Sequence, residues 1–101
     1  MNARGHTSAL FTDFYELTMA QGYRKHNMNC PAVFDMFFRR QPFGGGFSVF
    51  AGIETLIDEL TSFSFSEADI AYLDSTGVFE KDFLDYLKTF RFSGDLYAME
   101  E

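Results

Sequence analysis

The pattern of apolar residues predicts an α+β fold: a long N-terminal helix, a small mainly antiparallel sheet from residues 32–40, 47–50 and 95–99, and three further helices. Apolar residues recur near a period of 3.6 in residues 13–24, 53–60 and 80–90, which places them on one face of a helix. Residues 32–40 alternate with a period of two, the spacing of one face of a strand. Between that stretch and the alternating Phe47-Ser48-Val49-Phe50 lie Pro42, Gly44, Gly45 and Gly46, residue types suited to a chain reversal.

The first helix opens at Asp13. Glu16 stands three residues on at capping-box spacing, with Thr12 as an alternative N-cap. Phe11, Phe14, Tyr15, Thr18, Met19 and Gly22 fall on one side, and Asp13, Glu16, Ala20 and Arg24 on the other. Tyr15 therefore occupies the first turn, where free backbone N–H groups and the helix dipole favour an anion; on periodicity alone it is also an ordinary half-buried packing residue. The helix should fade at His26-Asn27-Met28-Asn29, before Cys30-Pro31. His26 reads as a solvated helix end, with no ligand partner at useful spacing.

In the strand predicted next, Phe34, Met36 and Phe38 share an apolar face, and Val33, Asp35, Phe37 and Arg39 share a mixed one, as at a cleft or an interface. Arg39 and Arg40 close it just before Pro42. The glycine turn lacks both the Walker and the GxGxxG pattern, so it is assigned no ligand and is read as a tight connection in a hairpin. Ile53, Leu56, Ile57 and Leu60 then mark an amphipathic helix. Ser66 with Asp69 forms a second capping-box spacing, Phe65 can staple onto Ile70, and Gly77 is placed to stop that helix near Ser75. In the last helix Phe83, Leu84 and Leu87 should face inward and Lys81, Asp85 and Lys88 outward. Leu96-Tyr97-Ala98-Met99 reads as a final strand.

The 101 residues bound one domain, divided into a flexible start over 1–9 and a folded unit over 10–101. A net charge of −7 without a basic run argues against nucleic-acid binding. No apolar run reaches membrane-spanning length, and residues 1–8 lack the apolar core of a signal peptide. A lone Cys30 and the absence of Cys/His clusters point to a reducing cytoplasm and no metal site. With 14 Phe and no Trp, the chain should either fill a dense aromatic core or leave an apolar patch for another domain or subunit.

Two motifs carry a resemblance. Thr12-Asp13-Phe14-Tyr15-Glu16-Leu17-Thr18-Met19 resembles the opening motif of the nicotinate phosphoribosyltransferases. Phe37-Phe38-Arg39-Arg40-Gln41-Pro42-Phe43-Gly44-Gly45-Gly46 resembles that family's next signature, at a similar distance downstream. The likeness runs from about Leu10 to the last residue. It departs at Glu100, where the family commonly has Pro in an Ala-x-Pro-Glu-Gly continuation.

The resemblance implies the N-terminal portion of a type II phosphoribosyltransferase, whose α/β barrel lies outside this segment. Such enzymes form nicotinate mononucleotide and pyrophosphate from nicotinate and phosphoribosyl pyrophosphate in NAD biosynthesis. ATP hydrolysis is coupled through a phosphohistidine, and Mg2+ accompanies the phosphates. Tyr15 matches the tyrosine that stacks on the pyridine ring from the neighbouring subunit of a homodimer. Arg39 or Arg40 matches an arginine of the phosphoribosyl region; Arg39 is preferred because it shares the mixed face with Asp35. Neither His6 nor His26 matches the phosphohistidine, so the segment alone is expected to be inactive and to bind neither ATP nor Mg2+ by itself. The competing readings are a non-catalytic α+β interaction or dimerisation module and the relative that uses nicotinamide.

Overall fold

The computed structural model describes residues 8–99. His6, Glu100 and most of the predicted flexible start lie outside the described residues.

The buried core of the fold is a helical hairpin, and its sequence explains it. Two helices that will be called α3 (Glu67–Ser75) and α4 (Lys81–Lys88) come third and fourth, after α1 (Phe14–Lys25) and α2 (Ile53–Thr61). At the start of α3 the capping box is complete. Asp69 N–H donates to Ser66 Oγ at 3.1 Å, and Ser66 N–H donates back to Asp69 Oδ2 at 2.9 Å. Thr76 ends the helix, and Gly77 turns the chain at φ +73°, the left-handed region where glycine is unstrained. Only a short connection separates α3 from α4, so the two pack as neighbours. Ile70 and Leu73 from the first helix meet Phe79, Phe83, Leu84 and Leu87 around the second. Leu73, at 1% exposure, is the centre of this core. Leu10, Leu17 and Phe65 pack against its margin.

Helix α1 is laid across the start of α4. Its contacts with the hairpin run through Phe14, Leu17, Gln21, Arg24 and Lys25, mainly three and four residues apart. The Phe14 ring meets Phe79 edge-on at 5.5 Å between centroids. The helix ends where expected, with Asn27 at φ +55° and Met28 N–H donating to the Tyr23 carbonyl at 2.7 Å, a Schellman-type closure. Its start differs from expectation. Asp13 is the N-cap but makes no side-chain capping bond, and the Glu16 carboxylate that would form the other half of the box accepts from the Thr12 hydroxyl instead.

The aromatic residues divide between two fates. Ring contacts of 5.5 to 6.3 Å run from Phe14 through Phe79, Phe83, Tyr86 and Phe90 to Phe63 and Phe65, one continuous spine. The others stand in water. The accessible surface is 8822 Å², whereas a closed monomer of this length would expose about 5,800 Å².

The predicted sheet is not present, and the fold class must be corrected from α+β to helical. Among the described residues there is no strand: 32–40, 47–50 and 95–99 run without a ladder. The alternation is real, but alternation alone does not make a sheet. Phe34, Met36 and Phe38 are 90%, 81% and 53% exposed, so the face meant for a core has nothing to cover. A lone two-stranded hairpin is marginal in water for that reason. The Pro42–Gly44 turn is a single 3-10 turn with Phe43 and Gly44 both at positive φ, and it does not bring the flanking segments into register. Helix α2 forms as predicted, yet none of its residues is buried, and Leu56 and Ile57 stay half-exposed.

Candidate functional site

Tyr15 sits on the second residue of α1, inside the first turn as the sequence predicts. It is 59% exposed, and its ring has no aromatic neighbour among the described residues. The stripe that docks on α4 is rotated relative to the predicted apolar side. Leu17 and Gln21 turn inward, while Phe11, Tyr15 and Met19 turn out. Tyr15 is therefore not a packing residue of this domain: it projects from a helix that is held elsewhere.

Arg39 and Arg40 lie in the bend just before Pro42, both exposed. Among the described residues neither enters an ion pair. Ser48 Oγ donates to Gln41 Oε1 at 2.5 Å and ties the turn that follows them. Tyr15 and the two arginines line none of the three main clefts, and no contact joins them. The structure thus places an aromatic ring and two guanidinium groups on the surface without assembling them into one site.

The main groove lies elsewhere. It has a volume of about 1260 Å³ and runs between α1, α2 and α4, floored by Leu17, Leu56, Phe63, Phe83, Tyr86 and Phe90. Polar and charged side chains line it as well, among them Glu16, Arg24, Asn27, Asn29 and Glu59.

Electrostatics on the helical side are structural. Arg24 Nη1 contacts Asp82 Oδ2 at 2.7 Å, and its guanidinium lies 4.6 Å above the Tyr86 ring. Lys25 contacts Glu80 at 2.9 Å. On α4, hydrogen bonds from Lys88 and then Lys81 hold the Asp85 carboxyl below its ordinary range. Sequence reasoning did not single out Gln21, Arg24 or Tyr86, because their partners lie more than fifty residues away in the chain.

His26 caps the end of α1 in solvent, as expected. No group of three or more His, Cys, Asp or Glu side chains converges among the described residues. Cys30 is free and exposed.

The described residues form a helical domain that leaves the Tyr15 ring and the Arg39 and Arg40 side chains exposed. The comparisons give this domain a family. Residues 10–101 match the nicotinate phosphoribosyltransferase (NAPRTase) N-terminal domain. The chain is 44% identical over all its 101 residues to nicotinate phosphoribosyltransferase pncB2 of Mycobacterium tuberculosis, covering 22% of that protein. It is 41% identical over 100 residues, 96% of the chain, to the nicotinate phosphoribosyltransferase of Dictyostelium discoideum, covering 17% of it. For the Bacillus subtilis nicotinate phosphoribosyltransferase the figures are 40% over 94 residues, 92% of the chain and 19% of the relative. The chain belongs to the nicotinate phosphoribosyltransferase family and spans that family's N-terminal domain. It covers about a fifth of the length of these curated relatives. No solved structure matches it significantly.

Proposed function

We propose that this chain serves as the N-terminal domain of a cytoplasmic, homodimeric nicotinate phosphoribosyltransferase in NAD biosynthesis. The enzyme joins nicotinate to the ribose of phosphoribosyl pyrophosphate, releases pyrophosphate and couples the reaction to ATP hydrolysis. The observation that carries this reading is the identity of 44% across the whole chain to a relative of that name. Within it, Tyr15 stacks on the pyridine ring across the dimer interface, and Arg39 meets the phosphoribosyl phosphates with Arg40 beside it. Two features support those roles. The Tyr15 ring is exposed on a helix anchored by its opposite face, and neither arginine is committed to a carboxylate among the described residues. An exposed planar ring suits a flat substrate, and a free guanidinium fork suits a phosphate. Mg2+ rides on the phosphates, as it commonly does.

In this reading the exposed Phe34, Met36 and Phe38 pack against the remainder of the enzyme. The 101-residue chain alone then makes no mononucleotide. The test is steady-state kinetics of the full-length enzyme carrying this domain. Tyr15→Ala should weaken nicotinate binding by about 1–3 kcal/mol, the scale of a lost stacking contact, and Tyr15→Phe should be milder. Production of mononucleotide from nicotinamide in preference to nicotinate would favour the relative that uses nicotinamide. Sustained turnover by the isolated chain would overturn the division of labour.

A further inference from the structure

The side-chain amide of Gln21 closes a bracket between two helices. Its Nε2 donates to the Val78 carbonyl at 3.3 Å, and its Oε1 accepts from the Glu80 backbone N–H at 2.7 Å. The partners, one carbonyl and one N–H, dictate which end of the amide faces which. Glu80 is the N-cap of α4, and it makes no side-chain cap of its own, its carboxylate being engaged by Lys25. At the start of α3 the N-cap N–H is satisfied from within the helix by Asp69. The equivalent position in α4 is Phe83, which cannot accept a hydrogen bond and is buried in the core. Gln21 supplies from α1 what α4 lacks.

One residue thus does two things at once: it completes the cap of α4 and pins α1 to it. Phe14, seven residues earlier on the same face, touches Phe79, so the docked face of α1 is held near both ends. Tyr15 is six residues before Gln21 on the same helix, about 9 Å along its axis. It is 59% exposed, and its ring has no aromatic partner among the described residues. A slip of one residue in the docking of α1 would turn Tyr15 by about 100° and move it by about 1.5 Å. The geometry points to Gln21 as a positioning residue: it sets the register of α1 on the α3–α4 hairpin and, through it, the place of the Tyr15 ring. This rests on the reading of Tyr15 as the residue that stacks on nicotinate.

The experiment is a double-mutant cycle on the full-length enzyme carrying this domain, comparing Gln21→Leu, Tyr15→Ala and the pair. Leucine is close in size and offers neither hydrogen bond. Gln21→Leu should raise the KM for nicotinate about ten-fold, the scale of a misplaced contact, while the KM for phosphoribosyl pyrophosphate stays the same. Combined with Tyr15→Ala, it should add nothing. Ser66→Ala, which removes a cap from α3 instead, serves as the stability control and should leave the nicotinate KM unchanged. In the 101-residue chain, hydrogen exchange at the Glu80 amide should quicken in Gln21→Leu. Losses that multiply in the double variant, an equal KM rise in Ser66→Ala, or an unchanged KM in Gln21→Leu while Tyr15→Ala raises it would each overturn the positioning role alone. A KM that Tyr15→Ala leaves untouched would remove the stacking role, and the positioning role with it.

Discussion

Residues 66–88 and residues 28–50 have comparable hydrophobicity and opposite fates. In the first, six apolar side chains close on one another and Leu73 loses nearly all contact with solvent. In the second, Val33, Phe34, Met36 and Phe37 keep 72% or more of their surface exposed. The difference lies in where each segment finds its partners. A helix satisfies its backbone within itself and needs only one neighbour to bury its stripe, and α3 and α4 reach each other across a tight turn. A strand must take both its hydrogen bonds and its cover from elsewhere. Residues 28–50 find neither in this chain, and their apolar alternation stays a pattern without a layer.

The largest expected effect tests the closed half. Leu73→Ala should cost about 2–5 kcal/mol, since it empties the centre of a small core, and this is a large share of the stability such a domain has. Urea unfolding followed by helical circular dichroism reads it, and a loss under 1 kcal/mol would show that the hairpin is not the stabilising core. Next comes Ser66→Ala. It removes the acceptor for the Asp69 N–H and should cost about 1 kcal/mol; the same melts measure it.

Phe34→Ala sharpens the contrast from the other side. Because the ring is 90% exposed, the change should alter the stability of the 101-residue chain by no more than about 0.5 kcal/mol. In the full-length enzyme the same change should be clearly destabilising if that face is covered there. Hydrogen exchange offers a parallel reading: amides of α3 and α4 should be protected while those of residues 32–38 exchange freely. Protection at 32–38 in the isolated chain would break the comparison.

The smallest effect is electrostatic. The Asp85 carboxyl is held below its ordinary value of 3.8, first by Lys88 and then by Lys81. A group whose folded pKa is depressed contributes stability above its unfolded pKa and loses it as pH falls through the folded one. This contribution should therefore be complete at neutral pH and fade only in acid below the ordinary carboxylate range. Lys88→Gln should raise the Asp85 titration midpoint toward 3.8, which a carboxyl NMR titration would follow. The pair is exposed, so its effect on overall stability should be slight.

Much of the helical architecture was legible in the residues alone. Ser66, Asp69 and Gly77 mark α3, and the inward triplet Phe83, Leu84 and Leu87 marks α4, because caps and amphipathic stripes are local instructions. The placement of Tyr15 in the first turn of α1 was legible for the same reason. The failed Asp13–Glu16 box was not, and there the Glu16 carboxylate accepts from the Thr12 hydroxyl instead. Nor was the inward face of α1. Gln21 and Arg24 owe their roles to Val78, Glu80, Asp82 and Tyr86, which come near only once the α3–α4 hairpin exists. The sheet was misread at the same boundary. Helix formation follows from hydrogen bonds between residues four apart, which sequence alone determines, whereas a ladder requires a partner in space, which only tertiary structure decides.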